Sequence, residues 1–159
     1  MSLSLDARMA ESRLAARGIK LPNAAAPAAN YLPFTKCGNQ LFISGQLPME
    51  NGQIAVKGVL GHNVDVEAGA RAAQICAINI LAQAKSALGD LGRIKQVIKI
   101  NGFVASTPAF NEQHLVINGA SDFLAEILGD CGLHARAAVG MSSLPFSAAV
   151  EVDAIIEFE

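Results

Sequence analysis

Two residues near the end of the chain have the type and setting to do chemistry. Arg136 sits in "HARAAVGM" among small and apolar neighbours, and Glu151 sits between valines in "AAVEVDAIIEF". An arginine offers a planar fork of donors that grips a carboxylate bidentately, or it simply pairs with a neighbouring acid. A glutamate faces a similar choice between an ion pair and the handling of a water molecule. Tyr31, the only tyrosine, either donates a hydrogen bond from a loop or packs. Residue types and periodicity leave these alternatives open.

Other chemistry-bearing residues say less. His62, His114 and His134 are too scattered to argue for a metal site. They read as surface or capping residues, with one exception. His134 precedes Arg136 by two positions, on the same face of an extended segment, where it could help position a substrate. Cys37, Cys76 and Cys131 are widely spaced and lack a C-x-x-C pair, so they form neither a disulfide framework nor a zinc site. They read as small buried hydrophobes, although Cys131 lies only a few residues before Arg136. There is no phosphate-binding loop, H-E-x-x-H or G-x-S-x-G, and no metal or cofactor is expected.

The elements that must position Arg136 and Glu151 follow from patterning. Asp6 to Arg17 has helical spacing and stops at Gly18. "LPNAAAPAAN" is an irregular connector. "YLPFTKC" and "QLFISG" form a hairpin about Gly38-Asn39, and "NGQIAVKGVL" adds a turn and a third short strand. Asp65 is an N-cap for a long helix running to Gly89, with Ala70, Ala73, Ala77, Ile80, Leu81, Ala84 and Leu88 on one face. So many alanines imply close packing on a sheet or another helix. "RIKQVIKINGFVAS" is a partly alternating strand, and a second helix is expected after Pro108, with Gly119 its weak point. Two strands close the chain, Arg136 to Ser142 and Ala149 to Phe158. The order predicts an α+β, two-layer (α/β sandwich) architecture: a mixed sheet with two long helices on one face. In the last strand Val150, Val152, Ala154, Ile156 and Phe158 share one face, and Glu151, Asp153, Ile155 and Glu157 the other. That second face suits a subunit interface better than water, so an oligomer that pairs sheets is expected.

Composition bounds the class. The 159 residues are 52% hydrophobic and 16% charged, which fits one domain with a substantial core. The net charge of −2 and the lack of a basic cluster argue against a nucleic-acid partner. The apolar runs fall short of the roughly 18 residues of a membrane span. Asp6 and Glu11 argue against a transit peptide and no secretory segment is visible, so the expected location is cytoplasmic.

Two segments, in this order and at this distance, carry a resemblance. "GNQLFISGQLP" resembles the early hairpin of the Rid (YjgF) family, also called the endoribonuclease L-PSP or translation-inhibitor family. "RAAVGMSSLPFSAAVEVDAI" resembles its C-terminal signature, with Arg136, Leu144, Pro145 and Glu151 at matching positions. The resemblance runs from about Asn30 to Phe158. It divides the chain into an N-terminal helix and connector (1–29), which looks dispensable, and one Rid/YjgF-like domain (30–159).

This resemblance implies a chorismate-mutase-like fold and a homotrimer whose sheets pack into a central barrel. It implies inter-subunit clefts binding a small carboxylate-bearing metabolite, and an enamine/imine deaminase, a metal-independent hydrolase turning 2-imino acids into 2-keto acids and ammonia. By position, Arg136 would anchor the carboxylate and Glu151 would hold or polarise the attacking water. Tyr31, Ser44, Gly45 and Asn118 would line the cleft. A cysteine common two residues after the arginine is replaced by Ala138, which, with the N-terminal extension and a longer helix, points to a divergent subfamily. Two other readings stand beside the deaminase: a non-catalytic carboxylate-binding trimer, and the ribonuclease or translation inhibitor of the family's older name.

Overall fold

A hairpin built on one glycine-containing turn starts the sheet in the computed structural model, which describes residues 7–159; the expected helix start at Asp6 lies outside them. Strands β1 (Phe34–Cys37) and β2 (Gln40–Gln46) join through Gly38, whose φ of +58° suits the first position of a two-residue turn. The expected first strand is shorter than its apolar pattern. Pro33 lacks an N–H, and its carbonyl instead accepts from Ser44 N at 3.0 Å. The next hairpin is brief, β3 (Met49–Glu50) and β4 (Gln53–Ile54), turning on Asn51 and Gly52, both at positive φ. Most of "NGQIAVKGVL" is therefore irregular rather than strand.

The remaining elements are α2 (Val66–Leu88), β5 (Ile94–Ala105), α3 (Gln113–Leu128), β6 (Ala135–Met141) and β7 (Val150–Phe158), preceded by α1 (Ala10–Ala16). Asp65 caps α2 by accepting from Ala68 N at 2.8 Å, and Gly89, at φ +82°, ends it. The start of α3 lies later than Pro108 implies. Thr107 N donates to Leu60 O and Phe110 N to Thr107 O, which closes a turn there, and Gln113 reaches back to Phe110 O at 2.9 Å. The helix begins only once these bonds are made.

The five main strands lie in the order β1-β2-β7-β5-β6. All neighbours are antiparallel except β5 and β6, which run parallel because α3 crosses between them. Helices α2 and α3 cover one face, and Leu41, Ile43, Ile100, Val104, Val152, Ala154 and Ile156 are buried beneath them. The imperfect alternation of β5 has a cause. Its pairing with β7 slips between Ile94 and Gln96 and again between Val97 and Lys99, so Ile94, Val97 and Ile100 all face the core at three-residue spacing.

The alanine-rich face of α2 does bring a helix close. A Cβ at Gly119 of α3 would run into the backbone carbonyl of Ala70. Gly119 is thus the contact point between the helices rather than a weakness. Helix α1 is no loose appendage either: Ala10 and Leu14 belong to the buried core, and Arg13 donates to Ile127 O at 3.1 Å. Cys76 and Cys131 are buried as expected, whereas Cys37, on the outer strand β1, is exposed. No helix among the described residues is long and apolar enough to cross a membrane.

Gly119→Ala is expected to lower stability by about 1–3 kcal/mol, the range for forcing a methyl into a packed contact. A shift of the urea midpoint to lower concentration checks this; an unchanged midpoint would mean that the helices part without cost.

Candidate functional site

Register decides which candidate residues can meet. In β6, Arg136 lies opposite Ile100 and Ala138 opposite Gly102, positions of β5 that face the helices. Arg136 therefore rises on the helix side, at the outer edge of the sheet. Its Nη1 donates to Ser121 Oγ and its Nη2 to the His114 carbonyl, each at 2.9 Å. Both partners belong to α3 and both are neutral. Among the described residues no carboxylate comes within ion-pair distance of Arg136, so the structural-pairing alternative fails within one chain. Among the described residues, two of the five guanidinium N–H donors are used, and three are left with the full charge. Asn118 shares the face of α3 that carries His114 and Ser121, four residues after one and three before the other.

His134 joins the same group. Its Nδ1 lies 2.6 Å from Gly132 O and its Nε2 2.9 Å from Ser121 Oγ. A carbonyl can only accept, so Nδ1 carries the proton and the serine hydroxyl donates to Nε2. Burial holds the imidazole below its ordinary pKa, and the Arg136 charge adds to this against the raising effect of the Gly132 bond.

Glu151 lies elsewhere. It pairs with Phe103 across β7 and β5, on the face that the helices leave uncovered, together with Asn101 and Asp153, which hydrogen-bond at 2.8 Å. Its carboxylate sits over Gly45, where any Cβ would collide with it. That contact exists because β2 bulges: Ile43 pairs with Ala154 but Gln46 with Val152, leaving Ser44 and Gly45 as the irregular stretch. Ser44 Oγ donates to Leu32 O at 2.6 Å, which fixes the loop that presents Tyr31. Glu151 has no ion-pair partner among the described residues. Burial raises its pKa above 4.5, and Asp153 raises it further.

The candidates thus form two groups: Arg136 with the α3 face of Asn118, and Glu151 with Gly45, Ser44 and the Tyr31 loop. One chain does not bring Arg136 and Glu151 together. Residue patterning missed Ser121, Gln83 and Phe146. Phe146 and Ser147 both take positive φ, +56° and +59°, and Phe146, Tyr31, Gly45 and Gln83 border a cavity of about 70 Å³. A Leu-Pro followed by an aromatic was the available signal for that turn. A cavity of about 840 Å³ lies between α1, the connector and α2 and borders none of the candidates. Among the described residues, no three His, Cys, Asp or Glu side chains gather as metal ligands.

Comparison with known proteins gives consistent matches. The model of the YjgF/chorismate mutase-like endoribonuclease family matches residues 11–158. Protein TCP17 of Trypanosoma cruzi is 49% identical over 158 residues, 99% of this chain and 98% of its own. The crystal structure of Atu1372 from Agrobacterium tumefaciens, described as of unknown function, is 59% identical with a TM-score of 0.90, over 99% of this chain and 95% of that one. E. coli TdcF, solved with bound serine, shares the fold at 22% identity and a TM-score of 0.60, over 86% and 94%.

Replacing Glu151 by Gln is expected to raise the melting temperature at neutral pH, since the fold disfavours this carboxylate's charge. The folded pKa is the raised one, so the penalty is full above it and fades as pH falls toward the ordinary 4.5. Thermal melts across pH check the sign; a gain that grew on acidification would refute it.

Proposed function

The chain belongs to the YjgF/chorismate mutase-like family, and from that premise we propose that it hydrolyses 2-imino acids, and the enamines in equilibrium with them, to 2-keto acids and ammonia. The observation that carries this reading is Arg136, a guanidinium at a sheet edge held, among the described residues, only by neutral acceptors. Such a group keeps its charge for a ligand and offers three fixed donors to a carboxylate. The serine bound in TdcF is a 2-amino acid with the same carboxylate.

The chemistry asks little more of the protein. An imine carbon next to a carboxylate is already electrophilic, so hydrolysis needs orientation, a water and proton transfer. Arg136 orients. Glu151, desolvated over the glycine of a bulge, holds the attacking water, and Ser44, Gly45, Tyr31 and Asn118 wall the cleft.

Since Arg136 and Glu151 lie on opposite faces of one sheet, the complete cleft takes one group from each of two subunits. The uncovered face supports this arrangement, with Phe42 and Val139 exposed beside half-buried Phe103 and Ile155. A closed ring of three copies gives every Arg136 a partner Glu151.

The test uses 2-imino acids generated in situ by an amino-acid oxidase, with semicarbazide trapping what survives. Wild type should accelerate imine loss and ammonia release, and Arg136→Ala should fall to the uncatalysed rate with the oligomer intact. Saturable binding without turnover would leave a carboxylate-binding protein instead.

A mixture answers the subunit question. Arg136→Ala and Glu151→Gln chains, each inactive alone, should regain about a quarter of wild-type turnover when co-expressed. That is the chance that random pairing sets an intact Arg136 against an intact Glu151. No recovery would place both groups in one chain's site.

A further inference from the structure

One hydrogen-bonded string ends at Arg136 and contains two side chains, Ser121 and His134, that the proposed function leaves without a role. It runs from Gly132 O to His134 Nδ1, from His134 Nε2 to Ser121 Oγ, and from Ser121 Oγ to Arg136 Nη1, with separations of 2.6, 2.9 and 2.9 Å. Three elements contribute: the turn before β6, helix α3 and β6 itself. The groups facing His134 are the Gly132 carbonyl, the Ser121 hydroxyl and the Arg136 guanidinium.

Direction along the string is fixed at both ends. The carbonyl accepts and the guanidinium donates, so the Ser121 proton points to the imidazole and its lone pairs toward the cation. A hydroxyl placed this way can gain a proton from outside while passing its own to Nε2, with the guanidinium limiting the charge that develops on oxygen. A nucleophile–base–orienter arrangement has the same geometry, but this hydroxyl adjoins a carboxylate anchor. A carboxylate oxygen bonded to the free hydrogen of Nη1 would lie about 5 Å from Ser121 Oγ, from two bonds of ~2.9 Å at a trigonal nitrogen. The substituents of the neighbouring substrate carbon then come within reach of the hydroxyl directly or through one water.

The geometry points to Ser121 and His134 as a proton relay that serves the substrate held by Arg136, a role that rests on the imine-hydrolysis reading. The reaction needs one proton moved from oxygen to nitrogen in each of two steps. In the first, the water oxygen bonds to the imine carbon and the C=N π pair passes to nitrogen. Ser121 takes a proton from that oxygen while giving its own to His134, and the imidazolium returns a proton to nitrogen by the same route. This yields the carbinolamine. In the second, the relay takes the hydroxyl proton and delivers one to the amine, the C–N bond breaks toward nitrogen, and ammonia leaves a 2-keto acid. The relay ends each step as it began. Burial lowers the pKa of His134, which favours the neutral form required at the start.

His134→Gln provides the discriminating test, because a glutamine carbonyl can still accept from Ser121 but cannot take its proton. With 2-iminopropanoate or 2-iminobutanoate made in situ, kcat should fall about 10²-fold or more, the range for a lost acid/base, with KM little changed. Ser121→Ala should lower kcat by a similar factor and, because it also frees Arg136 Nη1, raise KM as well; both variants should stay folded in the wild-type oligomeric state. Imidazole should restore turnover to His134→Ala, whereas pyrazole, which has a similar shape but is a far weaker base, should not; Arg136→Ala should respond to neither. Wild-type kcat in His134→Gln, or a rise in KM at constant kcat, would overturn the relay and leave the pair as a support for Arg136. Equal rescue by pyrazole would do the same. If wild type turns over no imine, the hydrolysis reading fails and the relay falls with it.

Discussion

Alternation along a strand is the constraint on which the rest of this structure depends. Successive side chains point to opposite faces, and the two helices claim one face of the sheet. Arg136 is in register with Ile100 and so shares the side of α3; Glu151 is in register with Phe103 and so shares the uncovered side. No rotamer change carries either through the sheet. The separation of charges is therefore a property of the fold's topology, and it is the reason the proposed cleft draws on two copies.

The electrostatics of the two groups are set by what surrounds them. Arg136 has its orientation fixed by a hydroxyl and a carbonyl, partners that direct a guanidinium without neutralising it. Glu151 has the opposite treatment: burial and the nearby Asp153 penalise its charge, and among the described residues no cation lies within ion-pair distance of it. Both are arrangements a protein selected for stability alone would avoid.

Local signals were legible where local physics governs. The Asp65 cap, the Gly89 stop, the Gly38-Asn39 turn and the two faces of β7 could all be read from spacing. The resemblance of two short segments led to the family and to the residues worth inspecting. What stayed hidden was non-local. "ARAAVGM" is built of small residues whose pattern names no inner face, and its register comes from the parallel pairing with β5. Ser121 looks like an ordinary helix serine until β6 places His134 and Arg136 beside it. The late start of α3 was masked by a proline that closes a turn rather than opening a helix.

The two slips in β5 have a consequence for how such a chain can change length. In a regular strand, losing or gaining one residue turns every later side chain over, so tolerated changes come in twos. A bulge is a place where that parity is already broken. Loss of one residue between Ile94 and Lys99 would heal a slip and leave Asn101 to Val104 facing as they do now, in front of Glu151 and beside Arg136. The same loss beyond Ile100 would set Asn101 against the helices and Gly102 on the outer face. The irregular half of this strand is thus an expansion joint, where a one-residue change of length would leave the facing of Asn101 to Val104 intact.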